Sequence, residues 1–554
     1  MALAATLAGI FLMVPMHDKP AMEGWVQTLS PASVPPTTGY VDTPKATPTP
    51  YPRGGNYGVA SDVTFREASL ISTAEQLRRR ELEGKEFNAA DVPPGPDESP
   101  FVSVDEAPLS TFAVDVDTTS YSGIRSMILS GVRPPRAMVR IEEMINYFQY
   151  SLPPPTDGKP FALHVDVTDA PWKTDHLLAR VALKAREIPR SERLPANLVF
   201  LIDVSCSMDA PERLPLLKDS LSMLVEQLGP EDRVSIVTYA GTSGVLLQPT
   251  LISERRRIFA AISSLVPGGS PNAESGIQLA YATAQSAFRK GGTNRVILAT
   301  DGDFNVGAVA NGDLTALITE RAKHGVFLSV LGFGMSYRGD SRMETLADKG
   351  NGNYAFIDSV QEAKKVLMDA LDGTLHTVAK DVKIQLEINP AKIESYRLIG
   401  YENRRLAARD FHDDTKDAGE IGAGHAVTAL YELVPRRTEK AGAEPLRYRQ
   451  DLSAAAHSGE LFTAKLRYKL PDGDRSELIE RPVHESQGHF AGGSQDLKLA
   501  AAVAAFGMLL RDSPHKGDAT YERAAEWARA AVGADPGVYR AELVRLIETA
   551  AQNR

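Results

Sequence analysis

Short apolar runs alternate with segments of helical periodicity through the middle of the chain. The runs include LVFLIDV, RVSIVTYA, RVILATDG and VFLSVLGFG, and the segments between them place apolar residues three or four positions apart. Strands that are apolar on both faces and separated by helices are typical of a parallel sheet covered on both sides. The pattern predicts an α/β fold, a doubly wound and mostly parallel sheet, over residues 197–374.

A different pattern, alternation with period two, flanks this region on both sides. The segments FALHVDVTDAPW and HLLARVALKARE precede it, and DVKIQLEINP, AVTALYELVP and LFTAKLRYKL follow it. Such alternation indicates half-buried antiparallel strands. We therefore predict one β-sandwich-like scaffold in two parts, residues 101–196 and 375–485, into which the α/β domain is inserted. The first part also contains a small α/β N-terminal region, and amphipathic segments predict a helical tail over residues 486–554.

The first hundred residues differ from the rest. Residues 2–16 are apolar without interruption, but no Lys or Arg precedes them and a membrane-spanning helix needs about 20 apolar residues. We interpret residues 1–20 as an anchor or signal remnant and residues 21–100 as a Pro/Thr-rich linker with a short helix. This predicts a membrane-anchored or periplasmic (extracytoplasmic) protein, and a cytoplasmic location remains the alternative.

Length and charge narrow the class of protein. The chain has 554 residues, too many for one hydrophobic core, so several domains are expected. Its formal net charge of −10 argues against a nucleic-acid partner held through phosphate contacts.

Oxygen-bearing side chains cluster where apolar segments end. Asp203, Ser205 and Ser207 alternate directly after LVFLI, Asp301 follows VILAT, and Ser270 stands in a glycine-rich loop before a helix. Ligands of open parallel sheets bind beyond the carboxyl ends of the strands, so these loops are expected to converge. Oxygen ligands without His or Cys indicate Mg²⁺, Mn²⁺ or Ca²⁺. The sequence therefore predicts a divalent-cation site formed by these five residues.

The turn DVSCSM resembles the Asp-x-Ser-x-Ser signature of von Willebrand factor A domains, whose metal-ion-dependent adhesion site also uses a distant Thr and Asp. Ser270 falls where that family has its Thr, and Asp301 in ATDG matches its Thr-Asp-Gly motif. The stretch PLSTFAVDVDTTSYSGIRSMI and the region after Gly373 are similar to bacterial YfbK-like proteins, which contain a von Willebrand A domain. The resemblance runs from about Pro108 to the C-terminus.

This resemblance implies a function. Ser205, Ser207 and Ser270 would coordinate the cation directly, and Asp203 and Asp301 would act directly or through water. One coordination position would stay open for an acidic side chain of an unidentified partner protein. The resemblance thus implies a divalent-cation-dependent protein-binding module and not an enzyme.

The chain contains one cysteine, Cys206, so an intrachain disulfide is excluded. It stands within the Asp-x-Ser-x-Ser motif, where the family usually has Gly. Because it alternates with the ligand positions, we expect its side chain to point away from the cation as a small buried apolar residue. A redox-sensitive thiol beside the metal is the alternative.

Three other interpretations stay open. Asp203 and the serines would merely cap a helix that begins near Pro211, although capping explains one of them only. The metal site would be vestigial, in a protein that acts as a scaffold. Finally, Asp115 and Asp117 in FAVDVDTTSY have the form of a haloacid dehalogenase phosphatase motif, with Asp413 and Asp414 as a late acidic pair.

Overall fold

A computed structural model describes most of the chain beyond residue 96. The described residues are 97–114, 117–269, 273–302, 311–334, 340–371, 373, 376–414, 416, 418–437, 458–471, 473–485 and 488–553. All of them belong to one structural unit, Glu67–Arg554. The apolar segment 2–16, almost all of the Pro/Thr-rich linker, Asp115 and Ser270 lie outside the described residues.

The first group of elements belongs to the scaffold. Strands β3 and β4 form a long hairpin, in which Leu163 pairs with Leu183 and Val167 with Ala179. The elements are β1 (Val102–Ser103), β2 (Leu109–Ala113), α1 (Thr119–Leu129), α2 (Ile141–Asn146), β3 (Phe161–Ala170) and β4 (Lys173–Ala185).

The second group is the inserted α/β domain. Its central strands are buried at every residue because helices cover both faces of the sheet. The strands are β5 (Ala196–Asp203), β6 (Arg233–Ala240), β7 (Thr242–Leu251), β8 (Thr293–Thr300), β9 (Phe327–Phe333) and β10 (Tyr354–Ile357). The helices are α3 (Leu214–Gln227), α4 (Arg255–Ser263), α5 (Ala273–Ser286), α6 (Asn311–Lys323), α7 (Asp340–Lys349) and α8 (Val360–Lys364).

The third group completes the scaffold and adds the helical tail. The strands are β11 (Thr377–Ile388), β12 (Ile393–Ile399), β13 (Arg405–Leu406), β14 (Ile421–Gly422), β15 (Ala426–Pro435), β16 (Glu460–Lys469) and β17 (Ser476–His484). The helices are α9 (Gln495–Arg511), α10 (Tyr521–Ala530) and α11 (Tyr539–Gln552).

The sheet of the α/β domain has the strand order β10-β9-β8-β5-β6-β7. All neighbours are parallel except β7, which returns antiparallel to β6 through a hairpin at Gly241. From β5 the chain builds outward to β6 and β7, and from β8 it builds the other way to β9 and β10. The direction of winding therefore reverses between the neighbouring strands β5 and β8. Open α/β sheets bind ligands at the carboxyl ends of the strands at such a point.

The scaffold is a β-sandwich to which chain segments on both sides of the insertion contribute. One sheet has the order β1-β12-β15-β4-β3 and the other β13-β2-β11-β16-β17, with β14 paired to β11. Their facing side chains form one core, with Val181 and Leu433 from the first sheet and Ile384 and Leu466 from the second. The prediction of a β-sandwich-like scaffold split by an α/β domain is confirmed.

The predicted helical tail covers the outer face of the first scaffold sheet. Helices α9, α10 and α11 pack with α1 and α2 around a core that includes Trp172, Leu178 and Leu430 of that face. Helix α9 is buried along nearly its whole length because it lies between the sheet and the other helices. No helix in the described part of the chain is long and apolar enough to cross a membrane.

Buried ion pairs join the scaffold and the tail to the α/β domain. Arg125 of α1 donates to Asp358 at 2.5 Å and to Glu362 of α8 at 2.9 Å. It also donates to Glu542 of α11 at 3.1 Å. Its side chain is only 3% exposed, so this cluster replaces the solvation of a permanent charge by three carboxylates. We call Arg125 and its three partners the junction cluster.

A second group of ion pairs, again between arginines of the scaffold and a carboxylate of the α/β domain, lies at helix α7. Glu344 of α7 accepts from Arg140 at 3.0 Å and from Arg404 at 2.9 Å, and both arginines belong to the scaffold. In both places the scaffold supplies the cation and the inserted domain supplies carboxylates, to which the tail adds Glu542 in the junction cluster. The insertion is therefore attached by charge pairs as well as by its two chain connections.

Candidate metal centre

The candidate site lies at the carboxyl edge of the sheet, between β5 and β8. Asp203 is the last residue of β5, and Asp301 directly follows β8. The parallel register pairs Ile202 with Ala299, which brings the ends of both strands together. The two acidic residues predicted from the sequence thus lie at the reversal point of the winding.

Asp203 is fully buried and fully engaged in hydrogen bonds. Its Oδ1 accepts from the backbone N–H of Ser205 at 2.9 Å. Its Oδ2 accepts from the Tyr239 hydroxyl and from Thr300 Oγ1, each at 3.2 Å. Tyr239 reaches it because the sheet register places that residue opposite Asp203 on β6. These bonds hold the carboxylate in one orientation, which suits a residue that anchors a site.

The surroundings of Asp203 disfavour the ionised form of its carboxyl group. Burial raises the pKa of this carboxyl above its usual range, and the nearby Asp301 carboxylate adds to the rise. The hydrogen bonds from Ser205 and Tyr239 oppose it only in part. A cation at this edge would relieve the repulsion between the two carboxylates.

The two serines of the motif face each other across the turn. Ser205 Oγ and Ser207 Oγ lie 2.9 Å apart, so both hydroxyls point to the same side of the loop. Helix α3 begins at Leu214 and not near Pro211, and no side chain caps it. Helix capping therefore does not explain these residues.

The expectation for Cys206 is wrong, because the residue is exposed and not buried. It opens a single 3₁₀ turn, Cys206–Met208, in which Met208 takes the buried position. Ser205 is buried as well, so Cys206, which follows it in the turn, is left facing solvent.

The glycine-rich loop reaches the same edge. The N–H of Gly268 donates to Val204 O at 2.6 Å, and the N–H of Cys206 donates to Gly269 O at 3.1 Å. Gly269 has φ +86°, and a Cβ there would lie 3.1 Å from Ala240 O, so glycine permits this close approach. Ser270, the next residue, lies outside the described residues, but the loop that carries it is bound to the Asp-x-Ser-x-Ser turn.

Asp301 combines burial with an unused oxygen. Its side chain is 2% exposed, and its Oδ2 accepts from Arg213 Nη1 at 2.6 Å. Its Oδ1 is buried and has no hydrogen-bond partner among the described residues. A buried carboxylate oxygen without a partner is energetically unfavourable, and a cation bound to Asp301 would satisfy it.

The donors gathered here fit a hard divalent cation. Four of the five predicted residues are brought to one edge, and all offer oxygen atoms of the kind that Mg²⁺ or Ca²⁺ prefers. No group of three or more His, Cys, Asp or Glu side chains suited to a metal occurs in the described ranges. A centre here would therefore depend on hydroxyl ligands with two carboxylates, as the motif implies.

Three residues that shape the site were missed from the sequence: Tyr239, Thr300 and Arg213. Thr300 is part of the quoted ATDG motif, so that motif could have indicated it. Tyr239 depends on the pairing of β5 with β6, and Arg213 on the path of the chain between the motif and α3. Neither can be identified from local pattern alone.

The residues of the phosphatase hypothesis have partners in the scaffold. Asp117 lies 3.7 Å from Arg404, in the contact that holds α7. Asp414 accepts at 3.0 Å from Arg467 of β16, in the second scaffold sheet. Asp115 lies outside the described residues.

Comparisons with known proteins agree with this architecture. Family models match at residues 373–552 ("Uncharacterized protein YfbK, C-terminal"), 94–180 ("von Willebrand factor") and 198–303 ("von Willebrand factor type A domain"). The Uncharacterized protein YfbK of Escherichia coli (strain K12) is 43% identical over 465 residues, which cover 82% of this chain and 80% of that protein.

Two further matches are more distant. The Magnesium-chelatase 60 kDa subunit of Rhodobacter capsulatus is 32% identical over 141 residues, 25% of this chain and 24% of that protein. A solved structure, von Willebrand factor type A from Catenulispora acidiphila, matches with a TM-score of 0.39 and 16% identity over 69% of this chain and 88% of that one. The match to the Escherichia coli protein, at high identity over most of both chains, shows that this chain belongs to the YfbK family of von Willebrand factor type A domain proteins.

Proposed function

We propose that this protein is a divalent-cation-dependent protein-binding module. Asp203, Ser205, Ser207, Ser270 and Asp301 would hold Mg²⁺, or Mn²⁺ or Ca²⁺ in its place, and an acidic side chain of a partner would complete the coordination. Von Willebrand factor type A domains typically mediate protein–protein interaction, so the family supports the binding class.

The observation that carries the proposal is the buried Oδ1 of Asp301, which has no hydrogen-bond partner among the described residues and lies at the same sheet edge as the Ser205–Ser207 hydroxyl pair. Hydroxyl groups alone satisfy each other and need no ion. A buried carboxylate oxygen that accepts no hydrogen bond needs another source of positive charge, and a bound divalent cation would provide it.

The charge at the site indicates the chemistry of the partner. Two carboxylates, Asp203 and Asp301, and one guanidinium, Arg213, leave a net charge of −1 at this edge. A bound divalent cation would reverse it to +1, and that excess would attract an anionic group. A partner's Asp or Glu therefore fits the metal-loaded site and is repelled from the metal-free one.

We propose a binding role and not catalysis. In the structure Asp117, a candidate of the phosphatase hypothesis, lies beside Arg404, an arrangement that suits attachment of the α/β domain. Association with a membrane through residues 2–16 is also a proposal, since that segment lies outside the described residues.

Isothermal titration of the full chain with MgCl₂ tests the proposal. We expect one binding site in the wild type and none in Asp203→Ala, because loss of this carboxylate removes both a charge and the anchor of the Ser205 turn. Asp209→Ala is the matched control, since Asp209 is an exposed aspartate just after the same turn. Its titration should match the wild type.

Equal binding by wild type and Asp203→Ala would reject the assignment of the site. Absence of binding in both would mean that the metal site is vestigial. If the wild type binds Mg²⁺, pull-downs with the wild type should recover a partner in the presence of Mg²⁺ and lose it in EDTA. Asp203→Ala should recover no partner under either condition. Phosphoester turnover that is lost in Asp115→Asn would favour the enzyme hypothesis instead.

A further inference from the structure

Arg213 connects two parts of the candidate metal centre. Its Nη1 donates to Asp301 Oδ2 at 2.6 Å and also to the carbonyl oxygen of Ser207. The guanidinium thus bridges the loop after β5 and the loop after β8. Asp301, one of the predicted ligands, already has a cation bound to one of its oxygens.

The position of Arg213 is set by the end of β9. Gly334 has φ +100°, and a Cβ at that residue would lie 2.9 Å from Arg213 Nε. The side chain therefore packs closely over this glycine, in a space that a larger residue would fill. It is 21% exposed, so water screens its charge only in part.

We infer that Arg213 is a built-in counter-cation that competes with the divalent ion for Asp301 and thereby lowers the metal affinity of the site. The inference rests on the proposed function, because it concerns the same centre. An ion bound to Asp301 would lie within a few ångströms of the guanidinium, and the two positive charges repel each other. Metal binding would therefore require Arg213 to move away from Asp301. If Arg213 stays in place, the repulsion makes the free energy of metal binding less favourable.

A positioning role is the opposite possibility, since Arg213 also orients Asp301. Removing the side chain loses the charge-assisted hydrogen bonds to Asp301 and to the Ser207 carbonyl oxygen, which would loosen both loops. It also removes repulsion of a doubly charged ion at short range, which is the larger of the two effects in a partly buried site. Competition therefore predicts tighter metal binding without the guanidinium, and positioning predicts weaker binding.

Titration calorimetry of the full chain with MgCl₂ and MnCl₂ separates the two. We expect Arg213→Met, which keeps an unbranched aliphatic stem and removes the guanidinium, to bind at least tenfold more tightly than the wild type. Arg213→Lys keeps the charge and should stay within about threefold of the wild type. Arg257→Met, which removes a 59% exposed arginine of α4, is the control and should change nothing.

The outcomes distinguish this inference from the proposed function. Weaker binding by both Arg213→Met and Arg213→Lys would overturn competition and leave the metal site intact. Equal binding by Arg213→Met and the wild type would overturn it as well. Binding by Arg213→Met alone would support competition while contradicting metal binding by the wild type. Absence of binding in every variant would contradict both.

Circular dichroism and thermal unfolding show whether each variant is folded. Arg213→Gln is the second neutral variant, in case the Met variant does not fold, and the same tenfold gain is expected from it. A folded Gln variant with unchanged or weaker affinity would overturn the inference.

Discussion

Two groups of buried carboxylates on the α/β domain have opposite surroundings. In the junction cluster, Asp358 and Glu362 both accept from Arg125, a permanent cation supplied by the scaffold. At the carboxyl edge of the sheet, Asp203 is bound by hydroxyl and amide donors, and Asp301 keeps one oxygen without a partner among the described residues. Every carboxylate of the junction cluster thus has a guanidinium partner, whereas at the sheet edge Asp203 has none among the described residues and Asp301 is paired with Arg213 through one oxygen only.

The difference teaches how to separate structural carboxylates from ligand carboxylates. Burial alone does not do so, because both groups are buried. The deciding observation is the source of the compensating charge: a full ion pair makes a carboxylate part of the architecture, whereas hydroxyl donors and an orphaned oxygen leave it available to a cation. The Arg213–Asp301 pair lies between these cases, which is why it is the most informative residue pair to change.

The largest expected effect comes from Arg125→Met. This change leaves Asp358, Glu362 and Glu542 buried without their shared cation, and loss of one partner of a buried ion pair lowers the free energy of unfolding by about 3–5 kcal/mol. Urea denaturation followed by circular dichroism measures it. Arg136→Met, which breaks an exposed pair with Asp512, should cost about 1 kcal/mol or less. Equal losses in both variants would show that the junction cluster does not hold the domain.

An intermediate effect is expected from pH, through Lys365 at the same junction. Its Nζ lies 3.2 Å from the centre of the Tyr147 ring, and burial lowers the pKa of this lysine to about 8. Below pH 8 both folded and unfolded chains carry the proton. Between pH 8 and 10 only the unfolded chain keeps it, so Lys365 by itself adds about 2 kcal/mol to the free energy of unfolding over this range.

Urea denaturation of the wild type and Lys365→Met at pH 8, 9 and 10 measures this contribution, since the difference between their free energies of unfolding should change by about 2 kcal/mol in favour of the wild type. The comparison with the variant is needed because burial raises the pKa of several tyrosines, including Tyr121, Tyr147 and Tyr401, and their ionisation in the unfolded chain lowers the free energy of unfolding of both proteins over the same range. Identical slopes in wild type and variant would contradict the assignment of the effect to Lys365.

The smallest expected effect is stabilisation by metal at the other carboxylate group. Mg²⁺ at ten times its dissociation constant should raise the free energy of unfolding by about 1.4 kcal/mol, since it binds only the folded chain. Thermal unfolding with and without Mg²⁺ measures it. The rise should vanish in Asp203→Ala and persist in Arg125→Met if that variant folds. A rise that survives Asp203→Ala would place the ion elsewhere.

Some of the fold was predictable because its signals are local. Strands β5 and β8 are apolar at nearly every position, and the sheet covered on both faces follows from that. Strands β7 and β17 were missed, because edge strands are exposed on one side and each contains a proline, Pro249 and Pro482. Their place in the sheets is visible only once the neighbouring strand is known.

The residues of the candidate site also fall into those that the sequence predicts and those that only the structure identifies. Asp203, Ser205 and Ser207 form a contiguous motif, and Asp301 belongs to a second one, so pattern and resemblance identify them. The exposure of Cys206 was not predictable, because it depends on which residues of the 3₁₀ turn face the sheet. The role of Arg213 depends on a contact with a residue 88 positions away.

By itself the sequence determined the α/β insertion, the divided β-sandwich, the helical tail and the motif at the end of β5, since periodicity and short motifs are encoded by neighbouring residues. Only the tertiary structure decided which carboxylates have a guanidinium partner and which oxygen of Asp301 has none among the described residues. Charge compensation acts across space, and the partners of Asp358 and Asp301 are brought to them by the path of the whole chain.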